Sequence, residues 1–230
     1  MEPGYFFKIK PVWMWRIMKI GLPAAFGDLV RNGIHLGLGR IVNSFGTFVM
    51  AAFGISFRIM GFIFIPIEGV ATAVTTLVGQ NIGAGKPERA EDSVMKAIFL
   101  TTIITAIAGA LLALFAKQVM SVFTRGDNNI IDEGILILRF FVITIVFISI
   151  SINFFSAFWG SGDTVPPMIV SSIVNACMIT FIIYTIVILK KEAYYIWLAL
   201  SVSELIQAAI IYFIFKRGKW KIKGALSNVK

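Results

Sequence analysis

Asp28, Arg31, Asn32 and His35 recur at i, i+3, i+4 and i+7 inside an otherwise apolar run, so a helix gathers them on one face. Ionisable groups at membrane depth are unfavourable by several kcal/mol unless paired or hydrated, so such a face points into protein or a water-filled cavity. The chemistry it offers is a site for protons, ions or a charged substrate, with Asp28 as titrating acid and Arg31 as its partner. A structural Asp28–Arg31 pair with a hydrogen-bonded His35 fits the spacing equally well, because a paired acid exchanges protons less freely. Glu68 is the second candidate, placed between Pro66 and Gly69. A proline-loosened turn leaves backbone carbonyls that can bind cations; the structural alternative pairs Glu68 with Arg58 or Arg31. Glu204, beside Ser201, Ser203 and Gln207, reads as a helix-packing residue that hydrogen-bonds its neighbours.

Other chemistries are excluded. His35 is the only histidine and Cys177 the only cysteine, which removes a histidine- or cysteine-rich metal site and any internal disulfide. No nucleophile, base and orienting group stand together, so no enzyme and no resident cofactor are expected. The run GQNIGAGK, residues 79–86, imitates a phosphate-binding loop but has the wrong glycine spacing. Pro87 stands where a magnesium-binding Ser or Thr belongs, and no strand precedes it.

The elements that must carry these residues are membrane helices. Hydrophobic residues make up 58% of the 230 and charged residues 14%, against the ~25% charged of a soluble domain. No charge falls between Lys96 and Lys117, Arg139 and Asp163, or Asp163 and Lys190. Each gap holds the roughly 20 residues that a helix needs to cross the hydrocarbon. The runs lack the alternation of a barrel, and without water only helices satisfy the remaining backbone. An all-α membrane fold follows, with six spans at about 20–42, 47–78, 97–116, 135–160, 165–189 and 194–215. Pro66 predicts a kink in the second. Gly33 and Gly37 form a G-x-x-x-G pair that permits close helix approach.

Basic residues set the orientation. Thirteen would lie on the side of both termini, against Lys117, Arg125, Lys190 and Lys191 on the other. Both termini are therefore expected in the cytoplasm of a plasma (inner) membrane protein, and the net charge of +9 reflects topology rather than nucleic-acid binding. Residues 1–19 read as a cytoplasmic or interfacial linker without the apolar core of a signal peptide. Residues 217–230 read as a basic tail, and Trp220, Trp13 and Trp15 beside basic residues predict interfacial anchoring on anionic lipid.

Three segments in order resemble the C-terminal lobe of the multidrug and toxic compound extrusion (MATE) family: KIGLPAAF at 19–26, LVGQNIGAGKPERAE at 77–91 and GSGDTVPPM at 160–168. In the second, Gly83 and Gly85 allow a sharp reversal and Pro87 opens the next helix. In the third, Gly162 and Asp163 reverse the chain before Pro166 and Pro167. The resemblance implies one six-helix lobe of a two-lobed transporter whose central cavity opens alternately to each side. It further implies export of organic cations or related amphiphiles against protons or sodium, and a second lobe as partner. In sodium-coupled members this lobe carries acids on its first and fourth helices. Here Arg31 takes the first position, and the fourth span has no acid between Arg139 and Asp163. Two other functions compete: a lipid-linked precursor flippase with Arg31 and Arg58 lining a basic cavity, and a truncated or scaffolding half without activity of its own.

Overall fold

The computed structural model describes residues 11–124 and 126–226. Eight helices follow in order: α1 (Pro11–Asn43), α2 (Thr47–Gly83), α3 (Pro87–Leu114), α4 (Ala116–Thr124), α5 (Asn128–Gly160), α6 (Val165–Ile182), α7 (Tyr194–Lys216) and α8 (Lys219–Leu226). A π-helical segment, Ile183–Ile188, continues α6. No strand occurs among the described residues.

Five helices are long and apolar enough to cross a membrane: α2, α3, α5, α6 with its π-helical extension, and α7. The sixth expected span, α1, is long enough at 33 residues. It falls short in apolarity because Asp28, Arg31, Asn32 and His35 interrupt its middle. It also starts at Pro11 rather than near 20, so the second half of the expected linker is helical and continuous with the span. Residues 1–10 of that linker, Arg125 and residues 227–230 lie outside the described residues, as do the Trp13, Arg16 and Lys223 side chains.

The centre of the lobe is α5, which packs against α2, α3 and α7, while α1 lies mainly along α6. Two apolar cores result. One gathers Phe53, Ile67, Leu138, Ile145 and Trp197. The other gathers Val78, Phe154, Phe158, Phe215 and Trp220. Close backbone approach occurs at Gly160: a Cβ there would meet the Thr75 carbonyl oxygen and sit 2.9 Å from Val78 Cβ. Glycine therefore admits α5 to α2. The G-x-x-x-G pair does no such work here, since nothing in this lobe lies within 4 Å of a Cβ placed on Gly33 or Gly37.

α2 stays helical through Pro66, the position at which a kink is expected. Two further departures from the sequence reading have clear causes. The connection after α3 folds into the short α4, whose Met120 is fully buried beneath Gly134 of α5. The tail is helical from Lys219. Its Trp220 is buried rather than placed at the headgroups, stacking on Phe215 at 4.9 Å and donating Nε1–H to the Phe215 carbonyl at 3.1 Å. Trp15, in contrast, is 66% exposed.

The two signature turns are built as glycine requires. Gly85 adopts φ +69° after α2, and Pro87 occupies the first turn of α3. Gly83 is helical, so the reversal is made by Gly85 alone. Gly162 adopts φ +76°, and the Asp163 amide bonds the Phe158 carbonyl at 2.9 Å, closing the end of α5. Asp163 itself is buried at 5% exposure.

Candidate functional site

A cavity of about 280 Å³ opens between α1, α2, α5, α6 and α7. Its ionisable residues are Arg31 and His35 of α1, Glu68 of α2 and Glu204 of α7. Helical spacing explains α7's contribution: Leu200, Glu204 and Gln207 recur at i, i+4 and i+7 and share one face. Gln207 Nε2 donates to Glu204 Oε2 at 3.0 Å, a bond within α7 rather than across helices. The cavity walls are aromatic, with Phe57 and Phe64 from α2 and Phe141 and Phe155 from α5. Phe57 meets Phe141 edge-on at 5.1 Å and His35 at 6.1 Å, so the ring cluster supports the imidazole. Ser151 Oγ and Gln207 Oε1, both on cavity-lining residues, have no hydrogen-bond partner among the described residues.

The four-residue face of α1 divides. Arg31 and His35 reach the main cavity. Asp28 bonds Arg31 at 2.9 Å and lines a smaller crevice against Pro167 and Met168 of α6. Asn32 lines neither. Glu68 enters the main cavity, yet forms no ion pair with Arg58 or Arg31 among the described residues. Its carbonyl accepts from Thr72 Oγ1 at 2.9 Å within α2, which stays helical on both sides of Pro66. Arg58 does not line the cavity. Glu204 is the cavity residue that sequence reasoning set aside as a packing group. Its signal was available, because it is the only Asp, Glu, Lys, Arg or His between Glu192 and Lys216.

Among the described residues no three His, Cys, Asp or Glu side chains converge as a metal site. The arrangement presents two carboxylates, one guanidinium and one imidazole inside an aromatic sleeve. Charged groups beside aromatic faces can hold a ligand by ionic and cation–π attraction.

The fold and cavity define a multi-pass helical membrane protein with a polar chamber between its spans. The family model described as MatE matches residues 23–185, and the chain belongs to that family, whose members are transporters. The chain is 23% identical over 223 residues to the probable multidrug resistance protein NorM of Thermotoga maritima, covering 96% of this chain and 48% of that protein. It is 26% identical over 141 residues to the multidrug export protein MepA of Staphylococcus aureus, covering 60% of this chain and 29% of that one. A crystal structure of MATE in complex with MaL6 superposes with a TM-score of 0.84 at 21% identity, over 94% of this chain and 49% of that chain. A MOP superfamily transporter from Pyrococcus furiosus gives 0.81 at 22% identity, over 90% and 46%. These structures share the fold. The chain spans about half the length of the relatives it matches end to end.

Proposed function

We propose that this chain supplies one six-helix lobe of a secondary exporter that moves organic cations or related amphiphiles outward, driven by inward protons or sodium. The observation that carries the reading is the cavity itself, in which Glu68 and Glu204 face aromatic walls from α2 and α5. Carboxylates attract a cation, and phenylalanine faces hold its apolar body and add cation–π attraction of up to about 2 kcal/mol when desolvated. Relatives described as multidrug resistance and export proteins support the same substrate class. The test is flux: a two-lobed assembly in proteoliposomes should show drug-stimulated proton or sodium movement, and a confirmed assembly without it would refute the reading.

A flippase for lipid-linked precursors calls for a larger, more basic chamber. Two carboxylates against Arg31, with Arg58 outside the lining, favour the cationic substrate instead. The coupling acid of this lobe is assigned to Glu204 or Glu68, with Asp28 held by Arg31 as the weaker candidate. Location in the plasma membrane with both termini cytoplasmic rests on the distribution of basic residues. Protease or labelling access to the C-terminal tail from the cytoplasmic side alone is the expected result.

A further inference from the structure

We propose that the groove between α8 and the α5–α6 turn is a binding site for an anionic phospholipid, separate from the transport cavity and independent of the transport reading. The groove encloses about 420 Å³ where the C-terminal ends of α5 and α7 meet the start of α6 and α8. Its walls are apolar: Phe158, Pro166, Ile214, Trp220 and Ile222. Its rim carries Arg217 and Lys219 against one carboxylate, Asp163. The lining is amphipathic in the sense that a phospholipid is, with two exposed cations beside aliphatic and aromatic side chains.

Charge bookkeeping around α8 singles out these two cations. The tail contains a dense basic run, but its members do different work. Lys221 closes on Glu91 of α3, and Lys216 lies 3.9 Å from the same carboxylate. Those contacts tie the end of α7 and the start of α8 to the first turns of α3. Arg217 and Lys219 form no ion pair among the described residues and stand over the groove instead. Gly218 (φ +70°) turns the chain between them, so both side chains belong to one corner. The buried Trp220 fixes that corner by stacking on Phe215. Ile222, 63% exposed, extends the apolar wall where an acyl chain would leave. A guanidinium and an ammonium bind a phosphodiester by charge-assisted hydrogen bonds, and basic pockets between helix ends are suited to such headgroups. Free phosphate shares the headgroup chemistry but has nothing to place against Ile214 and Ile222.

The test is native mass spectrometry of the full 230-residue chain with phosphatidylglycerol, phosphatidylcholine or inorganic phosphate as probe. Phosphatidylglycerol should bind roughly thirtyfold more tightly than phosphatidylcholine, given two cations near the headgroup. R217Q/K219Q should reduce it to the phosphatidylcholine level, whereas K117Q, on α4 and outside the groove, should leave it unchanged. A second variant, I222W, keeps both charges and fills the groove; it should also lower phosphatidylglycerol binding. Circular dichroism and a thermal melt verify that each variant is folded. Equal binding of the two lipids, or unchanged phosphatidylglycerol binding in folded R217Q/K219Q and I222W, overturns the site. Displacement of the lipid by millimolar phosphate would overturn the lipid as its ligand.

Discussion

Glu204 stands in a helix whose other cavity-facing groups are neutral, so its carboxylate is the charge that α7 brings to the chamber. Its hydrogen bond from Gln207 orients one oxygen and leaves the other available to the cavity. If Glu204 exchanges the coupling ion, Glu204→Gln in the two-lobed assembly lowers drug-stimulated ion flux by about tenfold or more, the effect of losing ~1.4 kcal/mol. Glu204→Asp retains part of the flux, since the charge survives on a shorter arm. Glu68 has a different position, on the aromatic α2 face beside Phe64, and its expected role is substrate attraction. Glu68→Gln should therefore raise the Kd for an organic cation by about tenfold, read by equilibrium binding, while a neutral amphiphile binds as before. Equal losses for the cation and the neutral compound would show that Glu68 shapes the chamber rather than attracts charge.

At the scale of elements, the two glycine arrangements make opposite predictions. Gly160→Ala drives a Cβ into the Thr75 carbonyl and Val78, neither of which is the free end of a flexible side chain, so overpacking of about 1–3 kcal/mol is expected. Gly33→Ala meets nothing within 4 Å and should leave the melting temperature of the lobe unchanged or slightly raised, because alanine favours the helix. Thermal melts of the two variants in one detergent check both. Helix existence was legible from uncharged runs such as 140–162, and the turns from Gly85–Lys86–Pro87 and Gly162, where left-handed backbone and proline punctuate the chain. Helix partners were not legible. The buried bond from Asn153 Nδ2 to Thr101 Oγ1 at 3.0 Å joins α5 to α3, and Thr144 with Ser201 at 2.7 Å joins α5 to α7. Both depend on helix rotation, which hydropathy does not encode when lipid and core are equally apolar. The same ambiguity hid Glu204: spacing placed it beside Gln207, but the chamber is made by five helices meeting. Trp220 misled for a related reason, as an aromatic among lysines fits a headgroup anchor and a buried stack alike.

For the whole molecule, the decisive feature is polar surface at membrane depth. Asp28 and Arg31 keep 53% and 45% of their side chains accessible, and Asn32, His35 and Glu68 are exposed as well. Facing hydrocarbon, each ionised group would be unfavourable by about 2.5–3.5 kcal/mol, far beyond what an exposed i, i+3 pair returns. Protein or water must therefore cover the α1–α2 face; under the proposed function, a second six-helix lobe would do so by closing a hydrated chamber over it. The chain spans about half the length of NorM from Thermotoga maritima, and the proposed cover is a lobe of similar size. The active unit is thus expected to be about twice 25.4 kDa, as one polypeptide or as two associated lobes. Detection in native membranes through the basic tail, before and after cross-linking, measures it. In a Cys177→Ser background, Asn32→Cys should react with a membrane-impermeant maleimide, and a substrate cation should slow that reaction. A 25.4 kDa species that stays monomeric and whose Asn32→Cys thiol reacts only with a lipid-soluble reagent would place the face against lipid and end the two-lobe argument.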